Sequence, residues 1–245
     1  GNIVANQTVN ATEQNRVFFP TSTLAVEKAQ YILKAEYKNA SGTVLSSHSK
    51  RIYRFDRPTA INDKMNYVDP VTGEEMYPFF MYGAEYTTTA ELEASGFTVI
   101  RTSMRMNDDA DIKSKLDDAY SKGMKVLLAL YAPPAGHPSI IERTRHIVST
   151  HKDHPAVAAW MLMDEPNLHV NPLGIRTYEE MLYYLEEGYK AVRDIDPIHP
   201  VYNIETTGSS NDTYERTGQM CDIFAIDPYP SGLSASIGGS LESSI

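Results

Sequence analysis

The chain has 245 residues, 42% hydrophobic and 22% charged, an ordinary globular composition with length for one large domain or a large and a small one. A formal net charge of −10 and a pI near 5.2 argue against nucleic acid and anionic membrane surfaces, which are met by basic patches, and fit an uncharged substrate. No apolar run approaches the roughly 20 residues of a membrane span, the start Gly1-Asn2-Ile3 has neither the basic nor the apolar region of a signal peptide, and a single cysteine, Cys221, excludes an internal disulfide.

Residues 1–58 read as β structure. Tyr31, Leu33, Ala35 and Tyr37 alternate with Ile32, Lys34, Glu36 and Lys38 at the period of a half-buried strand. Asn39-Ala40-Ser41-Gly42 is a turn, and Val44-Leu45 and Arg51–Phe55 predict two more short strands. So few strands imply part of a β-sandwich completed by other residues. Sequons stand at Asn6, Asn10, Asn39 and Asn211 and count only in a eukaryotic secretory path.

Residues 59–78, punctuated by Pro70, Gly73 and Pro78, read as a linker. From 79 onward short apolar runs alternate with amphipathic stretches. Predicted strands cover Phe79–Tyr82, Phe97–Thr102, Lys125–Tyr131, Ala156–Met163, Val201–Ile204 and Asp222–Ile226. Helices are predicted over Thr89–Ser95, Asp109–Lys122, Ser139–Thr150 and Tyr178–Asp194, with a short helix or turn over Asn211–Gly218. Gly123 closes the second helix, and Thr177 with Glu180 forms a capping box before the fourth.

Six βα repeats in order call for a parallel sheet with right-handed crossovers. An open doubly wound sheet carries a Gly-rich loop after its first strand; here that position reads Gly83-Ala84-Glu85-Tyr86. The expectation is therefore α/β, a (β/α)8 TIM-type barrel over residues 79–245. A full barrel takes about 250 residues and strands seven and eight have no candidates, so it is expected to be incomplete or reduced.

The fourth strand, Ala156–Met163, runs into Asp164-Glu165-Pro166, a carboxylate pair at the C-terminal end of a parallel strand, where barrels keep their chemistry. Gly96–Arg101 (GFTVIR) puts an arginine at the end of strand two, and Asp222–Pro230 (DIFAIDPYP) makes strand six. On these motifs residues 79–230 resemble a clan A glycoside hydrolase or a close relative: the second and fourth strands are similar to that clan's, Asp222–Pro230 resembles the sixth strand of barrel families with an Asp-Glu-Pro signature, and the β-rich leader resembles the sandwich domain that precedes the barrel in several hydrolases. The resemblance implies that Glu165 is the acid/base glutamate. Two departures stand out: the clan has Asn, contacting the sugar 2-hydroxyl, where this chain has Asp164, and its nucleophile is a glutamate on strand seven, beyond the last strand found here.

Glycosidic cleavage needs two carboxyl groups, one of them protonated at working pH. Apolar strands around Glu165 and the neighbouring Asp164 both favour the protonated form, so Glu165 is the expected general acid. Asp164 either orients Glu165, accepts a sugar hydroxyl, or pairs with Arg101 inside the barrel. Asp227 and Tyr229 close strand six: Asp227 as a sugar contact or the base of an inverting mechanism, Tyr229 as a stacking ring or a partner for a carboxylate. Glu205 ends strand five and is the other carboxylate that could face Glu165. Glu85, Tyr131 and His137 follow strands one and three and could line the same mouth. His146, His151 and His154 lie on or past a helix without metal-ligand spacing, so neither metal nor cofactor is expected. Trp160, in mid-strand, is expected in the core.

The expected activity is hydrolysis of a poly- or oligosaccharide, with carbohydrate as the partner and an extracellular or cell-surface location. A non-catalytic glycan-binding or surface-assembly protein on the same barrel is the alternative. Barrel enzymes using a Schiff-base lysine or a metal fit less well, since no strand ends in lysine or in a histidine pair. Nothing in the pattern sets an oligomeric state.

Overall fold

The computed structural model describes residues 3, 5–10, 19, 24, 30–64, 66–76, 82–83, 88–101, 108–130, 140–166, 177–206 and 211–227. The chain divides into two compact units, Gly1–Asp56 and Arg57–Ile245.

Among its described residues the first unit is one antiparallel hairpin, β1 (Gln30–Lys38) on β2 (Val44–Tyr53), paired from Gln30↔Tyr53 to Lys38↔Val44. Its turn is built by Asn39, whose side-chain oxygen accepts from the N–H groups of Ser41 (3.1 Å) and Thr43 (2.8 Å), while Gly42 takes φ 85°. β2 is one continuous strand where the sequence predicts two short ones. Its middle, Ser46-Ser47-His48-Ser49, has no apolar alternation because both faces of the ribbon meet solvent: Ile32, Leu33, Tyr37, Val44 and Leu45 are all exposed.

In the second unit a small hairpin, β3 (Tyr67–Val68) with β4 (Glu75–Met76), precedes a six-stranded sheet. The sheet strands are β5 (Tyr82–Gly83), β6 (Val99–Arg101), β7 (Lys125–Ala129), β8 (Val157–Asp164), β9 (Val201–Thr206) and β10 (Ile223–Asp227). Between them run α1 (Thr89–Ala94), α2 (Asp109–Ser121), α3 (Ile140–His151), α4 (Tyr178–Ile195) and α5 (Asn211–Gly218). All the pairings are parallel and the strands lie in chain order, β5 to β10. A doubly wound sheet reverses its order at a switch point. Uninterrupted sequential order is that of a barrel wall, and the sheet is a curled part of a TIM-type barrel.

The helices start where side chains can satisfy the free N–H groups. Thr88 and Glu91 form a reciprocal capping box on α1, Asp108 accepts from Asp111 N (2.8 Å) on α2, and Thr177 accepts from Glu180 N (3.1 Å) on α4. Two contacts separate the faces of the sheet. Leu162 packs on α4 so closely that a Cβ added at Gly188 would lie 3.1 Å from it, and Phe224 lies under α5, with its ring 3.6 Å from a Cβ built at Gly218. Leu162 and Phe224 therefore face the helices. By alternation Asn203, the partner of Phe224, does so too, while Met161, Tyr202 and Ala225 face inward. Trp160 is fully buried on the helix side and donates its indole N–H to Asp196 (2.7 Å).

The inward face is closed at its N-terminal end by residues between 57 and 76. Tyr67 is 1% exposed, and its hydroxyl reaches Val157 O at 3.4 Å. Lys125, the first residue of β7, is bound by Asp69 and donates to Pro155 O (2.8 Å) beside the Tyr67 ring. This buried, matched charge pair forms the floor of the barrel wall.

Candidate active site

The opposite, C-terminal edge carries the carboxylates. β8 holds an extra residue there: Met161 pairs with Tyr202 and Asp164 with Ile204, three residues of β8 against two of β9. In an unbroken strand Asp164 would share the helix-facing side of Leu162. The bulge turns it inward instead, to the side of its partner Ile204. On β6, Arg101 pairs with Leu127, which by the same alternation also faces inward. The two side chains meet across β7: Arg101 Nη1 donates to Asp164 Oδ2 at 2.6 Å, with both nearly buried, at 12% and 13% exposure. The other carboxylate oxygen, Asp164 Oδ1, is buried and has no hydrogen-bond partner among the described residues.

Glu165 follows directly. Its N–H donates to Ile204 O (2.9 Å), which fixes its backbone to β9, and its φ is 43°, in the left-handed region that a non-glycine residue enters only at a cost. Pro166 then ends the strand's capacity to pair. Asp227, last in β10, pairs with Thr206 and shares the inward face two residues beyond the level of Ile204. Glu205 alternates to the other side, with Asn203, and pairs with Ile226; its side chain is wholly buried, and its Oε1 accepts from Thr206 N (3.2 Å). The structure thus joins Arg101 to Asp164 by contact, sets Glu165 next to them and Asp227 on their face, and turns Glu205 toward the helices. Glu85, Tyr131, His137 and Tyr229 lie outside the described residues.

The three histidines form part of the α2–α3 seam. His146 (2.8 Å) and His151 (3.3 Å) bond the two oxygens of Asp109, and His154 bonds Asp117 (3.0 Å). Burial lowers the His151 pKa against the pull of Asp109. Sequence reading passed over the left-handed turn at Glu165. Its one signal was the Asp-Glu-Pro run itself, and a residue before proline is ordinarily extended.

No protein-family model matches the chain, and no curated protein matches it. Solved structures with a similar fold are glycoside hydrolases. A polyextremophilic β-galactosidase from the Antarctic haloarchaeon Halorubrum lacusprofundi aligns at 11% identity and a TM-score of 0.50, over 65% of this chain and 41% of that one. A β-galactosidase from the psychrophilic Marinomonas ef1 aligns at 12% identity and 0.48, over 62% and 40%. A β-glucuronidase from Parabacteroides merdae aligns at 16% and 0.48, over 82% and 25%. At such identity the first establishes a glycosidase-like fold alone, and the two at 0.48 add nothing to it. The chain spans about two fifths of the length of the first, at 41%.

Proposed function

We propose that this protein is a glycoside hydrolase acting on a poly- or oligosaccharide, with Glu165 as general acid/base. The observation that supports this most is the strained backbone of Glu165 at a C-terminal strand end, directly beside the inward Arg101–Asp164 pair. Strain of this kind persists where surrounding structure holds it, and it gathers at working sites. In this reading Arg101 and Asp164 are positioning residues: the ion pair fixes the end of β8, from which Glu165 presents its carboxyl to the glycosidic oxygen. Protonated, Glu165 donates to the departing sugar; deprotonated, it accepts a proton from water. Asp227 contacts the sugar from the same face. Glu85, Tyr131, His137 and Tyr229, which follow or close their strands in the sequence, are kept as further candidates for sugar binding. The N-terminal strands are taken as part of a β-sandwich, and the site of action as extracellular or the cell surface, where polysaccharide is met.

The test is release of reducing ends from neutral oligo- and polysaccharides by the native protein and by Glu165→Gln. A fall of about 100-fold or more in kcat, with saccharide binding retained, is expected. Equal release by the variant removes Glu165 from the reaction. Binding without any release by the native protein leaves a glycan-binding protein instead.

A further inference from the structure

We infer that Asn39 is the acceptor of an N-linked oligosaccharide whose first sugar ring rests on Tyr37; this goes beyond the hydrolase reading and stands independently of it. Two observations carry it. The first is the turn. Asn39-Ala40-Ser41 is a sequon, the pattern that an oligosaccharyl transferase recognises. It forms the tip of the β1–β2 hairpin, with all three residues exposed. The two ends of the Asn39 amide are used unequally. Oδ1 accepts from Ser41 N (3.1 Å), Ser41 Oγ (2.7 Å) and Thr43 N (2.8 Å). Nδ2 donates to none of the described residues. In the transfer, the bond from the sugar C1 to the pyrophosphate of a lipid-linked oligosaccharide breaks and a C1–Nδ2 bond forms. One amide proton is lost, and the lipid pyrophosphate leaves. The amide keeps its carbonyl and one N–H, so every hydrogen bond that builds the turn survives.

The second observation is the side chain beside it. Tyr37 pairs with Ser46 and Lys38 with Val44, so Leu45 is an extra residue on β2. Alternation along β1 is therefore unbroken up to the turn, where Asn39 N donates to Thr43 O (3.0 Å). Tyr37 and Asn39 leave the same face of the ribbon, roughly 7 Å apart along the strand. Tyr37 is 54% exposed, and Val44 and Leu45 next to the turn are exposed as well. A pyranose has an apolar C–H face that packs on an aromatic ring, and a sugar linked at Asn39 Nδ2 is within reach of Tyr37. The chain of sugars beyond it would also blunt β1 and β2, both of them edges of the described two-stranded sheet.

The test expresses the full chain behind a cleavable secretory leader in a eukaryotic host, beside a secreted glycoprotein as control. Occupancy of Asn39 is read by glycopeptide mass spectrometry. Asn39→Asp, which keeps the side-chain acceptor of the turn and cannot be glycosylated, is the sugar-free reference. Occupancy in most molecules is expected. Amide hydrogen exchange across residues 30–53 is expected to be slower than in Asn39→Asp by about twofold or more. Tyr37→Ala should abolish that slowing and leave occupancy unchanged. An unmodified Asn39 in a host that glycosylates the control overturns the inference. Occupancy with no slowing, or a slowing that persists in Tyr37→Ala, overturns the seat on Tyr37. Neither readout involves sugar release, so these failures are distinct from failure of the hydrolase reading.

Discussion

Glu165 holds a backbone conformation that asparagine or glycine would hold more easily. The left-handed region costs an ordinary residue about 1–2 kcal/mol, and proline next in the chain adds a further restriction. Glu165→Asn should therefore raise the unfolding free energy by up to about 1 kcal/mol in urea titration while abolishing sugar release. A variant that loses both stability and activity would show that the glutamate is held there for packing. Asp196 is the opposite kind of residue, buried and fully used. One oxygen accepts from Ile198 N (2.9 Å) and His199 N (3.1 Å), the other bonds Trp160 Nε1 and His199 Nδ1, both at 2.7 Å. Asp196→Ala strands those donors in the core, and a loss of about 3 kcal/mol or more in unfolding free energy is expected. The Asp164-Glu165-Pro166 run was legible because carboxylates are rare at the end of an apolar strand. The cluster around Asp196 was not, because Asp-Pro-Ile-His-Pro reads as turn punctuation whatever its side chains grip.

Among the elements, helices were easier to read than strands. α2, α3 and α4 follow the 3.6-residue period, and Thr177 caps α4 as its sequence suggests; Thr177→Ala should cost about 1 kcal/mol. α4 rests on β8 through Gly188 and Leu162, whose closeness leaves room for little more than a hydrogen. Gly188→Leu is expected to push the helix outward and lower the unfolding free energy by about 1–3 kcal/mol, read as a drop in Tm. The irregularities of β8 were hidden for a physical reason. It gains one residue on β7 near Val126/Leu127 and another on β9 between Met161 and Asp164. Because the strand is buried on both faces, its sequence is apolar throughout, and a run without alternation does not reveal an inserted residue. The same blindness left open which face Glu205 would take. β2 failed to show as one strand for the reverse reason, being solvated on both sides.

For the molecule as a whole, strand order followed from the βα alternation together with the missing Gly-rich loop, and the sequential sheet bears out the barrel wall. Three carboxyls of the second unit show how it responds to acid. Burial opposes the charge of Asp196, but hydrogen bonds and attraction from His199, with Trp160, outweigh it and hold the pKa below the usual 3.8. Asp69 is likewise lowered, burial being outweighed by Lys125 and the N–H groups of Thr72 and Val71. A lowered carboxyl stabilises the fold above its ordinary pKa and loses that contribution as pH falls through the lowered value. Asp222 has the opposite sign: burial raises its pKa against Arg193, Val201 N and Tyr189, so its contribution is present in acid and lost as pH rises through the raised value. Glu75, Glu91, Asp109, Asp117, Asp118 and Glu179 of the same unit are lowered as well, so the lowered carboxyls prevail over Asp222 and predict a net loss of stability below about pH 4. Urea midpoints at pH 7, 5 and 3 should decline in the native protein, and Asp196→Asn, weaker at pH 7, should show a flatter acid limb.

The floor beneath the sheet has a practical corollary for anyone excising this region. A cut at residue 78, where the hydropathy pattern changes, discards Tyr67 and Asp69 and leaves an ammonium group stranded in a greasy hole. Such a fragment should aggregate when expressed, whereas one starting at Arg57 should stay dispersed; sedimentation of the two side by side decides it.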